Sequence, residues 1–227
     1  MPQIKSQDFT TSMLIAVLTG DLVGSTGHPA ETVDAAMQAI QAAALSVADW
    51  QTPPADTRFT RFRGDGWQII LTNPQFALRA AAVIQGRLIA LGLESRISIG
   101  VGKRESLGTS NLADASGEAF EESGRGLDNM SDLSRLKHSG GLVQDDIIAD
   151  LLGERMQKWT AAQAEAASLY LASPGKIRTL FDIGRDLNIS PQAVNDRLRG
   201  AGCHTIASNL RVWENLKVKK GWDRNHA

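Results

Sequence analysis

Met13-Leu-Ile-Ala-Val-Leu-Thr19, closed by Gly20-Asp21, is a nearly continuous apolar run that stops at a turn signal. A run of this kind reads as a buried strand, and a buried strand needs partners. The residues that follow supply them in a set order. A helical stretch spans about Ala30 to Trp50, with Val33, Ala36, Met37, Ile40 and Ala44 on one face. Pro53-Pro54 breaks it. Two strand-like runs, residues 58–63 and Trp67 to Leu71, flank Gly64-Asp65 as in a hairpin. Asn73-Pro74 opens a second helix that reaches about Leu91, and Arg96-Ile-Ser-Ile-Gly-Val-Gly102 is a further strand.

The order β–α–β–β–α–β is that of a ferredoxin-like α/β sandwich, so the fold class expected is α+β. Residues 103–150 add loops, a short helix near Gly117–Asp128, a strand near Gly141–Gln144 and another helix. Neither a repeat nor a low-complexity segment is present.

Composition narrows the class. Hydrophobic residues make up 42% and charged residues 22% of 227, enough to bury a core and too apolar for a disordered chain. No run is long enough to span a membrane, and the N-terminus lacks the apolar stretch of a signal peptide. The single cysteine, Cys203, excludes an internal disulfide and a cysteine-rich zinc site. A reduced, cytoplasmic protein is expected.

The net charge of -1 conceals a division. Residues 1–154 hold 12 Lys+Arg against 19 Asp+Glu, whereas residues 155–227 hold 12 against 6. A basic C-terminal third on an acidic body points to a polyanion-binding module there, or to a solvated face of clustered charge. The expected organisation is an α/β domain over 1–154 and a helical domain over 155–227.

Asp21 and Asp65 stand at turn positions. In a ferredoxin-like sheet the first strand runs antiparallel beside the third, so the end of the first approaches the hairpin turn. Two carboxylates meeting there suit Mg²⁺ or Mn²⁺, which takes phosphate oxygens as further ligands. Leu22-Val-Gly-Ser-Thr-Gly27 follows directly, and its small residues, Ser25 and Thr26 among them, offer N–H groups to phosphate. The plain alternative is a pair of ordinary turn aspartates.

Four segments resemble class III nucleotidyl cyclase domains, in the family's order: VLTGDLVGST, FRGDGWQII, RISIGVG and DASGEAFEESGRGL. The resemblance covers roughly residues 12–130. It implies that Asp21 and Asp65 are the metal aspartates, with the carbonyl of Leu22 completing the first site. It implies Arg61 and Asp114 as base-selecting residues and Arg125 as the transition-state arginine. It also implies a head-to-tail homodimer that binds a nucleoside triphosphate. Glu121 occupies the slot of a family Asn, and Arg61 that of a Lys, whose point charge a planar fork does not reproduce. The nucleotide site is therefore expected to be more intact than the catalytic machinery. A likeness to diguanylate cyclases is poorer, because Arg63 and Gly66 replace that family's first glycine and glutamate.

The C-terminal third carries a helix-turn-helix pattern. Leu180, Ile183 and Leu187 share one side of a first helix, and Asn188-Ile189 makes a turn. Ser190-Pro191 reads as an N-cap followed by Pro at the first helical position, and the second helix stops at Gly200. A preceding helix starts at Trp159-Thr160, and a later one runs from Ile206 to Leu216 before Lys217, Lys219 and Lys220. Gln192 and Asn195 are placed to read adenine edges, and Arg197, Arg199 and Lys219 to hold guanine or phosphate of double-stranded DNA. The alternative is a small bundle used for dimerisation. DIGRDLNISPQAVNDRLRGAG is similar to the helix-turn-helix of many bacterial regulators. The whole chain resembles the SatD family, a cyclase-like domain joined to such a module.

Three functions compete on these grounds. The first is a nucleotide-responsive DNA-binding transcriptional regulator with a degenerate cyclase-like sensor. The second is an active cyclase releasing a cyclic nucleotide and pyrophosphate, and the third is an interaction module with neither activity. Glu121 favours the first over the second. His28, His138, His204 and His226 show no ligand spacing, and Cys203 and Trp67 read as packed residues.

Overall fold

A computed structural model describes residues 14–51, 56–62, 64–109, 111–175, 178–220 and 222. Met13, Pro53-Pro54, Arg63 and the side chain of Lys219 lie outside what it describes. The chain is an α+β protein with one five-stranded mixed sheet and, among the described residues, eight α-helices. The strands are β1 (Leu14–Leu22), β2 (Thr60–Phe62), β3 (Gly66–Leu71), β4 (Ser95–Lys103) and β5 (Leu136–Ser139). The helices are α1 (Ala30–Ala48), α2 (Ala77–Ala90), α3 (Glu118–Asp128), α4 (Val143–Met156), α5 (Ala161–Leu171), α6 (Leu180–Leu187), α7 (Pro191–Ala201) and α8 (Cys203–Lys220).

In space the strands run β2-β3-β1-β4-β5. β1 is antiparallel to both β3 and β4, β2 to β3, and β5 joins β4 in parallel. The apolar run thus becomes the central strand, and period-2 alternation divides it between two cores. Ala16, Leu18 and Leu22 face α1 and α2, with Ile69, Leu71, Ile97 and Ile99 beside them. Ile15, Val17 and Ile70 face the other way, toward Ala119 of α3 and Leu112. Burying a side chain such as Ile15 or Leu18 fully is worth about 1.5–3 kcal/mol. Glycine sets the approach of α3: a Cβ at Gly100 would stand 2.2 Å from the Ala119 carbonyl, so no larger residue fits under that helix.

Two elements differ from expectation. β1 continues through Gly20-Asp21 to Leu22, because Asp21 pairs with Arg96 of β4 across the sheet. Gly20 is there for contact, since its Cβ would meet the Trp67 ring at 2.5 Å. The strand expected near 141–144 lies instead at Leu136–Ser139, and Val143 opens α4. β5 has one aliphatic residue, Leu136, so hydropathy alone does not mark it; the buried partner on its inward face is His138.

The helical third packs on the sheet layers without a break in the core. Ala164, Leu171, Ile183, Val194, Leu198, Leu210 and Trp213 share one cluster with the α1–α2 side of the sheet. The division expected at 154/155 falls inside α4. Gly86 of α2 lets α5 approach, its Cβ position lying 3.1 Å from Ser168. Across the same seam Arg79 of α2 grips Glu214 of α8 with two hydrogen bonds, Nε to Oε1 at 2.6 Å and Nη2 to Oε2 at 3.0 Å, and both residues are buried. Among the described residues no helix is long and apolar enough to cross a membrane.

Candidate functional site

The register brings the two aspartates to one end of the sheet. Gly20 pairs with Trp67, so the next position sets Asp21 beside Gly66, and Asp65 immediately precedes Gly66. The β1–α1 turn folds against the hairpin here: the Ser25 hydroxyl donates to a carboxylate oxygen of Asp65. Gly24 sits at φ +66° before a 3₁₀ turn over Ser25–Gly27, and the Gly27 and His28 amides close that turn on Gly24 and Ser25. Thr26 is exposed. The Leu22 side chain enters the core on the α1–α2 side.

Arg96 is the residue that sequence reasoning missed. Its Nε donates to Asp21 Oδ1 at 3.0 Å and its Nη2 to Oδ2 at 2.5 Å, and Nη1 lies 3.7 Å from Asp132. The hydrogen bonds to Asp21 raise the guanidinium pKa further above its usual value, though partial burial opposes them. A fork-to-fork pair of this kind saturates a carboxylate with positive charge. Among the described residues no three His, Cys, Asp or Glu side chains gather as a metal-binding group. Arg96 thus competes with any divalent ion for Asp21, while Asp65 accepts from the Ser25 hydroxyl.

The residues expected to select the base stand apart. Thr60 accepts from the Leu112 amide and Phe62 packs in the second core, so alternation turns Arg61 between them toward α1. There its Nη1 meets Asp34 at 2.7 Å and its Nε donates to the Gly64 carbonyl at 2.5 Å. Asp114 ends a 3₁₀ turn on the other side of the sheet and accepts from the Thr109 amide at 3.1 Å. Bonds from the Thr109 backbone, and then from its hydroxyl, hold the exposed Asp114 carboxyl below its usual pKa. Arg58, in the left-handed region at φ +46°, ties the same loop by donating to the carbonyls of Leu107 and Thr109 at 2.5 and 2.8 Å. Asp114 and Arg61 therefore do not converge within one chain. Arg125 lies on the outer face of α3, 60% exposed, with Glu121 at 3.9 Å and Glu122 at 3.8 Å.

The helix-turn-helix geometry is closed at each junction. Thr179 caps α6 by accepting from the Asp182 amide at 3.1 Å, and Ser190 caps α7 by accepting from Ala193 at 3.1 Å. Between them Asn188 turns at φ +53° and the Ile189 amide returns to the Gly184 carbonyl at 2.9 Å. A Cβ at Gly184 would stand 2.7 Å from Ile189 O, so the turn depends on that glycine. α7 runs past Gly200 to end at Gly202, φ +69°, while Gly200 makes room for Gln163.

On α7, Gln192 and Arg199 are exposed and Asn195 is half-buried. Gln192 donates to Asp196 at 3.1 Å. Arg197 turns inward to Glu165 of α5 at 3.0 Å. Several charges counted in the basic third are likewise spent internally, Arg178 on Asp186 and Lys158 on Glu154. Lys217 is buried on Asp145, Nζ to Oδ2 at 2.5 Å.

Lys217 belongs to a buried cluster that the scattered histidines did not announce. His138 stacks on Trp222 at 5.7 Å and meets Trp213 edge-on at 6.1 Å, and among the described residues neither ring nitrogen has a hydrogen-bond partner. Burial pushes its imidazole down to about 4; the neighbouring Asp145 and Asp146 oppose the shift and Lys217 adds to it. Burial alone would raise the Asp145 carboxyl, but Lys217, Trp213 and the Leu142 amide together hold it below its ordinary value. Cys203 is buried, and burial raises its thiol to about 12, so it is inert.

No protein-family model matches the chain, and no curated protein is similar enough to count as a relative.

Proposed function

We propose that this protein is a DNA-binding transcriptional regulator whose α/β unit is a degenerate, cyclase-like sensor of a nucleoside triphosphate, in the manner of the SatD family. The observation that carries the regulator reading is the α6–α7 pair, capped at both helix starts and joined by a left-handed Asn188, with Gln192 and Arg199 exposed on the second helix. The strand order β2-β3-β1-β4, antiparallel throughout, supports the ferredoxin-like, cyclase-type reading of the sheet.

Arg96 on Asp21 favours a sensor over an active cyclase. A carboxylate neutralised by an arginine is a poor first anchor for catalytic metal, so Mg²⁺ or Mn²⁺ enters this reading only as the companion of an arriving triphosphate. The outward position of Arg125 fits a role toward a second protomer. The homodimer is further supported by an exposed apolar stripe, Val143, Ile147 and Leu151 on α4 with Val212 and Leu216 on α8. A twofold dimer sets two recognition helices about 34 Å apart, so a small rotation between protomers changes the fit to paired half-sites.

Selection from random-sequence duplexes at low salt, followed by a mobility-shift assay with and without nucleoside triphosphate, tests the reading. A selected site whose affinity responds to the nucleotide is the expected result. Failure to retain any duplex at low salt would remove the regulator reading. A cyclic product formed with Mn²⁺ and lost in Asp65→Ala would establish the cyclase in its place.

A further inference from the structure

A cleft of about 730 Å³ opens where the C-terminal helices meet the α1–α2 layer, away from Asp21 and Asp65. That volume suits a drug-sized ligand. One wall is apolar and fixed: Trp50 and Phe76 meet edge to face at 6.2 Å, and the Trp50 indole N–H is held by the Ala172 carbonyl at 2.9 Å. Three guanidinium groups line the cleft, Arg87 from α2, Arg178 ahead of α6 and Arg211 from α8.

Their pairing is uneven. Arg178 is held by Asp186. Arg211 is exposed and, among the described residues, has no carboxylate within ion-pair distance, although its charge acts at longer range on Glu214. Arg87 is half-buried, and its polar partner is the neutral Ser46 hydroxyl, at 3.1 Å from Nη2. Burial lowers the pKa of that guanidinium, and among the described residues no carboxylate offsets the cost. Of the two carboxylates on the lining, Glu214 is already occupied by Arg79, and Asp49 is exposed to water. A guanidinium partly withdrawn from water without a counter-ion is costly, and its planar fork matches the oxygens of a phosphate.

We infer that this cleft is a second ligand site, taking a phosphate monoester that carries a flat ring, with Arg87 and Arg211 on the phosphate and Trp50 and Phe76 against the ring. Binding here needs no metal and does not depend on the reading of Asp21 and Asp65. The site also touches the DNA-binding unit. Arg178 holds Asp186 in the last turn of α6, so a phosphate drawing on Arg178 loosens that tie and shifts the first helix of the helix-turn-helix.

The test is calorimetric titration of the full chain in EDTA with adenosine monophosphate as probe, and with adenosine and inorganic phosphate separately. Adenosine monophosphate is expected to bind, with each fragment weaker by about ten-fold or more. Arg87→Gln and Arg211→Gln are each expected to weaken it by about ten-fold, and Arg104→Gln, which removes a positive charge away from the cleft, to leave it unchanged. Arg211 is exposed, so its variant carries the test alone if Arg87→Gln does not fold. No binding of the nucleotide in EDTA, equal binding of adenosine, or affinity that survives Arg211→Gln would each overturn the inference.

Discussion

Both carboxylate oxygens of Asp21 accept hydrogen bonds from the guanidinium of Arg96, its direct partner across β1 and β4. The pair is about one-quarter exposed on each side, so its worth to stability is about 1 kcal/mol. Its larger effect is expected on metal binding. Arg96→Gln is expected to tighten Mn²⁺ binding about ten-fold in a titration, and the added change Asp21→Asn to abolish that gain. Unchanged Mn²⁺ affinity in Arg96→Gln would show that the arginine does not compete with metal.

The buried Arg79–Glu214 pair should behave differently from the surface pairs. Removing one partner leaves an uncompensated charge between α2 and α8, so Arg79→Met is expected to cost about 3–5 kcal/mol in urea unfolding. The double change Arg79→Met with Glu214→Leu should recover most of that loss. A double variant as unstable as the single one would show that packing, not charge, is what Arg79 supplies.

His138 gives stability a pH dependence of known sign. Folding holds its imidazole neutral down to about 4, whereas an unfolded histidine takes up its proton near 6.5. Between those values the unfolded chain binds the extra proton, so stability is complete above the upper value and falls as pH drops toward the lower one, by up to about 3 kcal/mol. Asp145, Asp146 and Lys217 face the ring, and the Asp145 carboxyl is itself held below its ordinary value. His138→Phe should flatten urea midpoints measured between these pH values. A slope unchanged in that variant would assign the dependence to other groups.

Arg197 and Arg199 separate folding from recognition. Arg197 is bound to Glu165, so Arg197→Ala should lower stability by about 1 kcal/mol and leave the salt slope of DNA binding unchanged. Arg199 is exposed, and Arg199→Ala should weaken duplex binding and reduce that slope by about one. The reverse pattern would mean that α7 meets DNA by another face.

The apolar stripe on α4 and α8 makes the proposed dimer testable by sedimentation. Ile147→Glu with Leu151→Glu should convert the sedimenting species to a monomer without changing its helix content, because both side chains are more than half exposed. A variant that still sediments as a dimer would place the interface elsewhere, with the outer face of α3 and Arg125 the next candidate.

Periodicity along the chain was enough to place β1, α1, the hairpin, α2, β4 and the helices around Asn188. Each is written in local signals: an apolar run, a 3.6-residue stripe, Gly64 between two strand-like segments, Ser190-Pro191 at a helix start. β5 escaped because a short strand with one aliphatic residue and a histidine gives no alternation to read. The composition of the last third was equally legible, yet it overstated the free positive charge. Arg178, Arg197 and Lys217 count as basic in any sum, and packing spends each on a carboxylate.

By itself the sequence determined the order of elements, the central strand and the capped helix pair, because hydropathy period and turn chemistry act over a few residues. Only the tertiary structure decided which charges meet. Asp21 and Arg96 are separated by a helix, a hairpin and a second helix before the sheet sets them side by side. Long-range pairing of this kind follows from strand register and shared burial, and neither quantity exists until distant segments pack.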